Sequence, residues 1–351
     1  QSYFQTDTLT SNGFNDMFIC KYDLNGNEVW IKNIGGKNPN NTFERFTAHP
    51  DKSGDYILAV GSFYDTLSID GNTIVSAGGS DIFIAKFNLN GDCIWLKQAG
   101  GSASNDIGNV FTVDLNNDIF FTGSNSDTAV FDSFIVPPGN YFAKYDISGN
   151  CLFAERKFSG LAITSIKPMS SDLILAGTSL DNIINIDTIS LTLGLGEKAF
   201  LAKIDSSGSI YWLKTFGSYS NTIGGAVDLD HQKNIYYTGY FEDSAEFNSI
   251  TIYHSPGTTQ PDFFLAKLDS SGNTKWVQQS NSSGMAHGTA VYSDEDGNVY
   301  LSGDFSGTAQ FGSFSTIANT RSDFFLARYN TYGDCLGIRH FGVAISIDRK
   351  S

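Results

Sequence analysis

Histidines are the side chains of this chain best suited to acid–base or metal chemistry. No two of them have the three- or four-residue spacing that lets a pair of imidazoles bind one metal ion. His287 stands out because it directly precedes an expected strand, and Asp106 and Asn221 fall at related places in other segments. These three would form the rim of a binding site, but as a catalytic set they lack a nucleophile. The five histidines are His49, His231, His254, His287 and His340.

The remaining residues assemble no catalytic or cofactor motif. The sequence contains no Ser-His-Asp order, no glycine-rich phosphate loop and no convincing pair of acids. We therefore predict no catalytic residue, no metal ligand and no cofactor, and we leave the binding residues unassigned.

Several acidic turns have the composition of calcium loops. They are DLNGN at 23–27, DISGN at 146–150, DSSGN at 269–273 and DEDG at 294–297. An EF-hand loop spreads its oxygen ligands over about twelve residues and ends in Glu, a spacing that the first three lack. The same residue types are what a tight hairpin turn requires. We interpret all four as turns, although the last is denser in carboxylates.

Basic residues and tryptophans recur at fixed places. Six basic residues would form an anion-binding ring if they converged, but Asp or Asn follows each of them two residues later, so a local ion pair or turn contact is the simpler interpretation. Each tryptophan lies four residues after a turn glycine, and we expect the tryptophans to lock neighbouring repeats together. The residues are Lys21, Lys86, Lys144, Lys203, Lys267 and Arg328, and Trp30, Trp95, Trp212 and Trp276.

The cysteines follow the same repetition. Cys93, Cys151 and Cys335 each lie two residues after a turn glycine, and Cys20 holds a position that is Ala in the other copies. Equivalent positions in different repeats lie beyond the roughly 7 Å between Cα atoms that a disulfide spans. We expect four free thiols, which say little about the cellular compartment.

The elements that must position these residues are repeated along the chain. The segment DIFIAKFNLNGDCIWLK at 81–97 has five relatives, whose basic residues are successively 65, 58, 59, 64 and 61 residues apart. Such a period in strand-like sequence is typical of a propeller blade. One repeat resolves into four strands: A at 288–294, B at 298–303, C at 323–329 and D ending near 341. Short turns join them, except for a longer loop between B and C.

Strand C explains why the repeats must stack. An aromatic and a small residue share one of its faces, and Ile, Leu or Phe lies on the other. A strand that is apolar on both faces needs cover on both faces, and neighbouring blades would supply it. We therefore predict an all-β fold in which four-stranded antiparallel blades form a single β-propeller.

We predict six blades in one domain at 1–351, with seven left open for the full protein. The first blade has only strands C and D, because Phe4 precedes Lys21 by the same seventeen residues that separate Phe311 from Arg328. A terminal strand A at 342–351 would complete it and close the ring. The predicted blade bounds are 1–34, 43–99, 108–158, 161–216, 223–279 and 287–341.

Charge restricts the class of partner. The chain has 22 basic and 37 acidic residues, a net charge of −15, and no basic cluster that offsets it. Such a surface repels phosphate backbones, so we predict no nucleic-acid partner. No stretch approaches the eighteen or so apolar residues of a membrane span, so we predict no membrane insertion.

The repeat resembles a known family. Its pattern, A-V-x-x-D-x-x-G-N-x-Y-x-x-G followed by D-x-F-[IL]-A-K-[YF]-D-x-x-G-N-x-x-W-x-K, is similar to the bacterial SBBP β-propeller repeat, common in exported proteins of Bacteroidota. The resemblance covers nearly the whole chain. It implies a propeller fold and an extracellular or cell-surface location, and it brings no shared catalytic residues. The family name refers to seven blades, whereas six C–D units occur here.

Two hypotheses about function follow. The favoured one is a non-enzymatic exported scaffold for binding or display, with an unknown protein or glycan partner, because loops such as 38–42, 126–140 and 253–261 diverge while packing positions repeat. The alternative is a lyase or hydrolase that acts on polysaccharide at the central channel, and His287 is the only residue that supports it.

Overall fold

A computed structural model describes residues 2–3, 8–11, 16–35, 46–102 and 105–342. The secondary-structure elements of these residues are all β-strands, and they fall into two compact units, unit 1 at 1–159 and unit 2 at 160–351. The strands of unit 1 are β1 (Ser2–Tyr3), β2 (Thr8–Leu9), β3 (Met17–Tyr22), β4 (Glu28–Ile34), β5 (Phe46–Pro50), β6 (Tyr56–Ile69), β7 (Asn72–Asn88), β8 (Cys93–Ala99), β9 (Asp106–Val113), β10 (Ile119–Asn125), β11 (Ala129–Phe131), β12 (Phe134–Val136), β13 (Gly139–Tyr145) and β14 (Cys151–Arg156).

Unit 2 continues the same succession of strands. They are β15 (Leu161–Met169), β16 (Asp172–Ser179), β17 (Ile183–Ile186), β18 (Ile189–Thr192), β19 (Lys198–Ile204), β20 (Ile210–Phe216), β21 (Thr222–Leu229), β22 (Ile235–Phe241), β23 (Ser244–Phe247), β24 (Ile250–Tyr253), β25 (Asp262–Leu268), β26 (Thr274–Gln279), β27 (Asn281–Ser282), β28 (Ala286–Ser293), β29 (Val299–Phe305), β30 (Thr308–Phe311), β31 (Phe314–Ile317), β32 (Asp323–Tyr329) and β33 (Cys335–Phe341).

The strands form four-stranded antiparallel sheets in the order A-B-C-D. Unit 1 contains β5-β6-β7-β8 and β9-β10-β13-β14, together with the two-stranded pair β3-β4. Unit 2 contains β15-β16-β19-β20, β21-β22-β25-β26 and β28-β29-β32-β33. The predicted fold class, all-β with four-stranded blades of the β-propeller kind, is confirmed. The number of blades stays a prediction, and the expected terminal strand A and Phe4 lie outside the described residues.

The connection between strands B and C is not the plain loop that we expected. It folds into a two-stranded hairpin, which we call the ribbon, at β11-β12, β17-β18, β23-β24 and β30-β31. In the second repeat the same ribbon is a continuation of the long strands β6 and β7. Alternating apolar residues bury one face of each ribbon, as Ala245 and Phe247 do in β23.

Within a unit, the ribbon also joins its repeat to the preceding one. The amide of Gly217, after strand D of the fourth repeat, donates to the main-chain oxygen of Glu246 at 3.2 Å in the next ribbon. Gly100 and Val130 exchange two such bonds in unit 1, of 2.9 and 3.2 Å. Within each unit the repeats are therefore connected by main-chain hydrogen bonds as well as by packing.

The cores lie between neighbouring sheets. In β25, Phe263 and Leu265 pack against the following sheet with Phe305, while Phe264 and Ala266 pack against the preceding one. All four are fully buried, as the apolar pattern of strand C predicts. Strand β32 differs, because its second face is exposed at Phe324 (69%) and Leu326 (39%).

Candidate functional site

A tryptophan and a lysine of one repeat bind the same main-chain oxygen of the next. Lys267 and Trp276 pair across β25 and β26, and both donate to the oxygen of Thr331 at 3.1 Å. Thr331 lies in the C–D turn of the sixth repeat. The arrangement recurs twice in unit 1, where Lys86 and Trp95 donate to Ile147, and Lys21 and Trp30 donate to Leu89. We call this arrangement the latch.

The turn glycine belongs to the latch as well. A Cβ at Gly333, whose φ is +92°, would lie 3.0 Å from the Trp276 ring, so the indole packs directly on the turn. The same contact joins Gly91 to Trp30, Gly149 to Trp95 and Gly272 to Trp212. The predicted role of the tryptophans, locking neighbouring repeats together, is confirmed within each unit.

The basic residues make structural contacts, as the simpler interpretation predicted, but these contacts are not local. The expected turn contact occurs in the latch, where Lys21, Lys86 and Lys267 bind the turn of the next repeat. The expected ion pair with the Asp two residues later is wrong for Lys144 and Lys203. Lys144 instead binds Asp118 at 2.7 Å and Lys203 binds Asp172 at 2.9 Å, both at the start of strand B, and Arg328 donates to Asn298 at 2.8 Å. The side chains reach across to the neighbouring strand because strand C lies beside strand B.

The first carboxylate of each of the four acidic turns serves the turn itself. Asp269 Oδ1 accepts the amides of Ser271 and Asn273 at 2.9 Å, and its Oδ2 accepts the Asn273 side chain at 3.0 Å. Burial raises the pKa of Asp269, but these hydrogen bonds outweigh it and hold that pKa below its usual value. Asp23, Asp146 and Asp294 make equivalent bonds. The interpretation of these segments as turns is confirmed.

All four cysteines are free thiols, as predicted. Burial raises the pKa of Cys93 to about 11 and that of Cys151 to about 12, with the carboxylates of Asp70 and Asp132 nearby adding to each shift. A thiol with so high a pKa is protonated at neutral pH and is a poor nucleophile. Cys93 and Cys151 are therefore poorly suited to act as nucleophiles.

A cleft of about 490 Å³ lies between the fifth and sixth repeats. Its walls are the A–B turn of each repeat, and the C–D turn of the sixth repeat forms one end. A volume of this size falls within the roughly 300–1,000 Å³ of small-ligand pockets. The lining residues are Asp230, His231, Gln232, Asn234, Lys267, Lys275, Trp276, Glu295, Asp296, Gly297, Thr331 and Tyr332.

The floor of the cleft is a network of polar contacts built on the latch. The Lys267 ammonium lies 3.9 Å from Asp230 Oδ2 and also binds the Thr331 hydroxyl. The Tyr236 hydroxyl lies 3.4 Å from the same carboxylate. Burial lowers the pKa of Lys267, which Asp230 partly offsets, and burial raises the pKa of Tyr236 to about 12. These groups hold one another in place, whereas the rim carries the exposed side chains.

The three residues proposed as a rim, His287, Asp106 and Asn221, do not occupy equivalent positions of the repeat. Strand pairing places Gly108, Gly224 and Gly288 at the same register, each opposite the glycine of strand B. His287 therefore corresponds to Ile107 and Ile223, so the alignment of the three was wrong by one and two residues. His287 packs on the Tyr240 ring at 4.2 Å between centroids, and its Nδ1 lies 3.5 Å from Asp304.

Asp106 is part of a separate acidic cluster in unit 1. Its Oδ2 accepts the Gly101 amide at 2.6 Å, and its side chain is fully buried. Burial raises its pKa, the carboxylates of Asp81 and Asp127 add to the shift, and together they bring it to about 6. Within the described residues, no group of three or more His, Cys, Asp or Glu side chains is arranged to hold a metal ion.

The sequence pointed to only part of the cleft. The carboxylate-rich turn 294–297 was noticed, but Tyr332 was missed. A signal existed, since Tyr332 lies directly before the turn glycine, where the other five repeats have Asn or Ser. No helix among the described residues has the length and apolarity to cross a membrane.

Comparison with known proteins supports the repeat class. No family model matches the chain. It is 27% identical over 167 residues to an uncharacterized WD repeat-containing protein of Acanthamoeba polyphaga mimivirus, an alignment that covers 42% of this chain and 12% of that protein. The chain thus spans about an eighth of the length of this relative, and the likeness agrees with a β-propeller repeat.

Solved structures resemble the chain only distantly. An apocarotenoid oxygenase of Synechocystis matches with a TM-score of 0.44 and 10% identity, over 85% of this chain and 61% of that one. A polysaccharide lyase of family PL25, an ulvan lyase, matches with a TM-score of 0.40 and 10% identity, over 88% and 80% of the two chains. Likeness at this level carries no argument about function.

Proposed function

We propose that this chain is a non-enzymatic scaffold, exported or displayed at the cell surface, that binds its partner in the cleft between the fifth and sixth repeats. The observation that carries this proposal is the contrast between the floor and the rim of the cleft. The floor is fixed by the latch, and the rim presents His231, Glu295 and Tyr332 to solvent. Such a cleft suits recognition, because the groups of the floor are already held in place and lose little conformational freedom when a partner binds.

The groups on the floor of the cleft are poorly placed for catalysis. Turnover needs a nucleophile or base that is free to act on a substrate. Lys267 and Asp230 are engaged with each other and with Thr331, and Lys275 donates to Asn234 at 2.7 Å. The Thr331 hydroxyl is bound by the Lys267 ammonium. We infer binding without turnover.

Export is part of the same proposal and is supported by the resemblance to the SBBP repeat. Protease treatment of intact cells of the source organism tests it. Degradation of this protein while a cytosolic control survives is the expected result, and protection of both proteins would contradict export.

The binding function is tested by presenting the purified chain to arrays of peptides and of glycans, alongside a turnover screen on the same glycans. We expect saturable binding that substitutions on the rim of the cleft weaken, without product formation. Product that appears with the natural chain would overturn the non-enzymatic part of the proposal.

A polysaccharide-acting lyase or hydrolase is the second candidate. One observation favours it: His287 has an aromatic neighbour in Tyr240 and a carboxylate in Asp304, at the entrance to a strand A. Burial raises the pKa of Tyr240, and the carboxylates of Glu242, Glu197 and Asp304 add to the shift. Glycan cleavage that is lost in His287→Ala and Tyr240→Phe would establish this candidate, and no cleavage by the natural chain would reject it.

A further inference from the structure

We propose that the cleft between the fifth and sixth repeats recognises a cationic side chain, arginine or lysine, from a basic segment of a partner protein. This inference rests on the proposed binding function and names the class of ligand. Its starting point is the turn 294–297, where some of the carboxylates take part neither in closing the turn nor in the latch.

The first carboxylate of that turn is engaged and the other two are not. Asp294 accepts the amide of Asn298 at 2.7 Å and its side-chain nitrogen at 2.8 Å, which closes the turn. Glu295 and Asp296 are exposed and line the cleft. In the described part of the chain, neither of these two carboxylates has a hydrogen-bond or ion-pair partner.

The cations of the cleft are already committed. Lys267 is buried, and it binds Thr331 and lies near Asp230. Lys275 donates to Asn234 on the opposite wall. Asn234 is neutral, so Lys275 keeps its charge, and the three carboxylates Asp230, Glu295 and Asp296 exceed the two ammonium groups by one negative charge. The rim that remains is acidic, so an incoming cation meets uncompensated negative charge.

An exposed aromatic ring completes the cation site. Tyr332 is 79% exposed and lies at the end of the cleft. The face of a tyrosine ring attracts an ammonium or guanidinium group electrostatically. The Trp276 ring also lines the cleft, but it is partly buried and packs on Gly333, so Tyr332 is the more accessible of the two rings. Two carboxylates and an exposed ring that line one cleft suit a planar guanidinium, which binds a carboxylate with two parallel hydrogen bonds.

The charge of the whole chain favours the same partner. A net charge of −15 attracts basic segments over a distance of several ångströms and repels acidic ones. Neutral glycans gain nothing from this field. The acidic rim and the acidic chain together favour a basic protein segment over a polysaccharide.

The experiment uses the full chain and defined peptides, with binding followed by titration calorimetry. The probe is an acetylated and amidated peptide with three arginines separated by glycines. Its control is the same peptide with citrulline in place of arginine, which keeps the shape and removes the charge. We expect saturable binding of the arginine peptide, weakened about tenfold or more by citrulline, and falling as ionic strength rises.

Matched variants locate the binding. The double variant Glu295→Gln and Asp296→Asn is expected to lose about tenfold in affinity. The control is Asp243→Asn and Glu246→Gln, which removes the same charge from exposed side chains outside the cleft. Tyr332→Ala is expected to weaken binding, and far-UV circular dichroism checks that each variant is folded.

The outcomes separate this inference from the binding function on which it rests. Equal losses in the two double variants, or equal binding of the citrulline peptide, would overturn the cation site. A second outcome is that the chain binds a neutral oligosaccharide such as cellohexaose but not the arginine peptide, and that Tyr332→Ala abolishes this binding. That result would overturn the proposed ligand class and leave the scaffold function standing. Turnover of that oligosaccharide would overturn the scaffold function itself.

Discussion

The indole Nε1 of Trp276 lies 3.1 Å from the main-chain oxygen of Thr331, a residue of the following repeat. The bond crosses from one sheet to the next, and the same oxygen also accepts from Lys267. An indole N–H that is half-buried needs a partner, and the C–D turn of the next repeat is where that partner lies. The turn that ends one hairpin is therefore held by the side chains of its neighbour.

Trp276→Phe should destabilise the fold moderately. The phenyl ring keeps most of the packing on Gly333 but loses the hydrogen bond, and Lys267 still satisfies the Thr331 oxygen. We expect the free energy of unfolding to fall by about 1 kcal/mol. Urea denaturation measures it, with Tyr219→Phe at an 85% exposed position as the control. An unchanged midpoint would show that the latch adds no stability.

Two glycines separate backbone strain from packing. Gly333 and Gly26 both have positive φ values, +92° and +80°, but only Gly333 has a ring within contact distance of an added Cβ among the described residues. Alanine in the left-handed region costs about 1–2 kcal/mol at either site. Overpacking against Trp276 adds about 1–3 kcal/mol at Gly333 alone.

The measurement for this pair is the difference between the free energies of unfolding of Gly333→Ala and Gly26→Ala. We expect Gly333→Ala to be the less stable variant. Equal losses would mean that the indole moves aside without cost.

Stability should depend on the ionisation of Asp106. Its pKa is raised to about 6 in the folded chain, above the roughly 3.9 of an unfolded aspartate. Between these values the folded chain binds more protons than the unfolded one, so the free energy of unfolding falls as the pH rises from about 4 to about 6. Asp106→Asn should flatten this fall.

Denaturation midpoints at pH 4.5 and pH 7 test the Asp106 prediction by comparison with Asp55→Asn, an exposed aspartate of the same unit. The expected result is a smaller difference between the two pH values in Asp106→Asn than in Asp55→Asn. Identical differences in both variants would rule out the predicted role of this carboxyl.

The thiols should react slowly until the chain unfolds. Half-buried Cys93 and Cys151 have pKa values of about 11 and about 12, so few thiolates exist at pH 8. We expect slow reaction of these residues with a disulfide reagent in buffer and rapid reaction of all four cysteines in guanidinium chloride. Fewer than four reactive thiols in the unfolded chain would indicate a disulfide and contradict the free state.

The prediction from sequence was accurate where the interactions are local. Strand C of the sixth repeat was expected at 323–329, and β32 has those bounds. The acidic turns were interpreted correctly, because Asp Oδ1 binds amides only two and four residues away. The ribbon was missed, because its short strands alternate too briefly to be distinguished from a loop; its turns rely on residues such as Asp132 and Asn248 in the left-handed region.

The partners of the basic residues could not be predicted from spacing. Lys144 binds Asp118, and the two are brought together by the pairing of strands B and C rather than by proximity in sequence. The comparison of His287 with Asp106 failed for a different reason. The A–B pairing has the same irregularity next to Gly108 and Gly288, and each glycine lies six residues before the Asp of its A–B turn, so alignment on that Asp would have matched His287 to Ile107.

The sequence by itself determined the repeat, the strand order within a sheet, the turns, the free thiols and the locking role of the tryptophans. These follow from alternation, turn chemistry and a recurring period, all of which operate over a few residues. Only the tertiary structure decided where the cleft lies and which side chains meet there, such as Tyr236 and Thr331, which are 95 residues apart. The reason is physical: which turns face each other depends on how neighbouring sheets pack, and that packing is a property of many contacts at once.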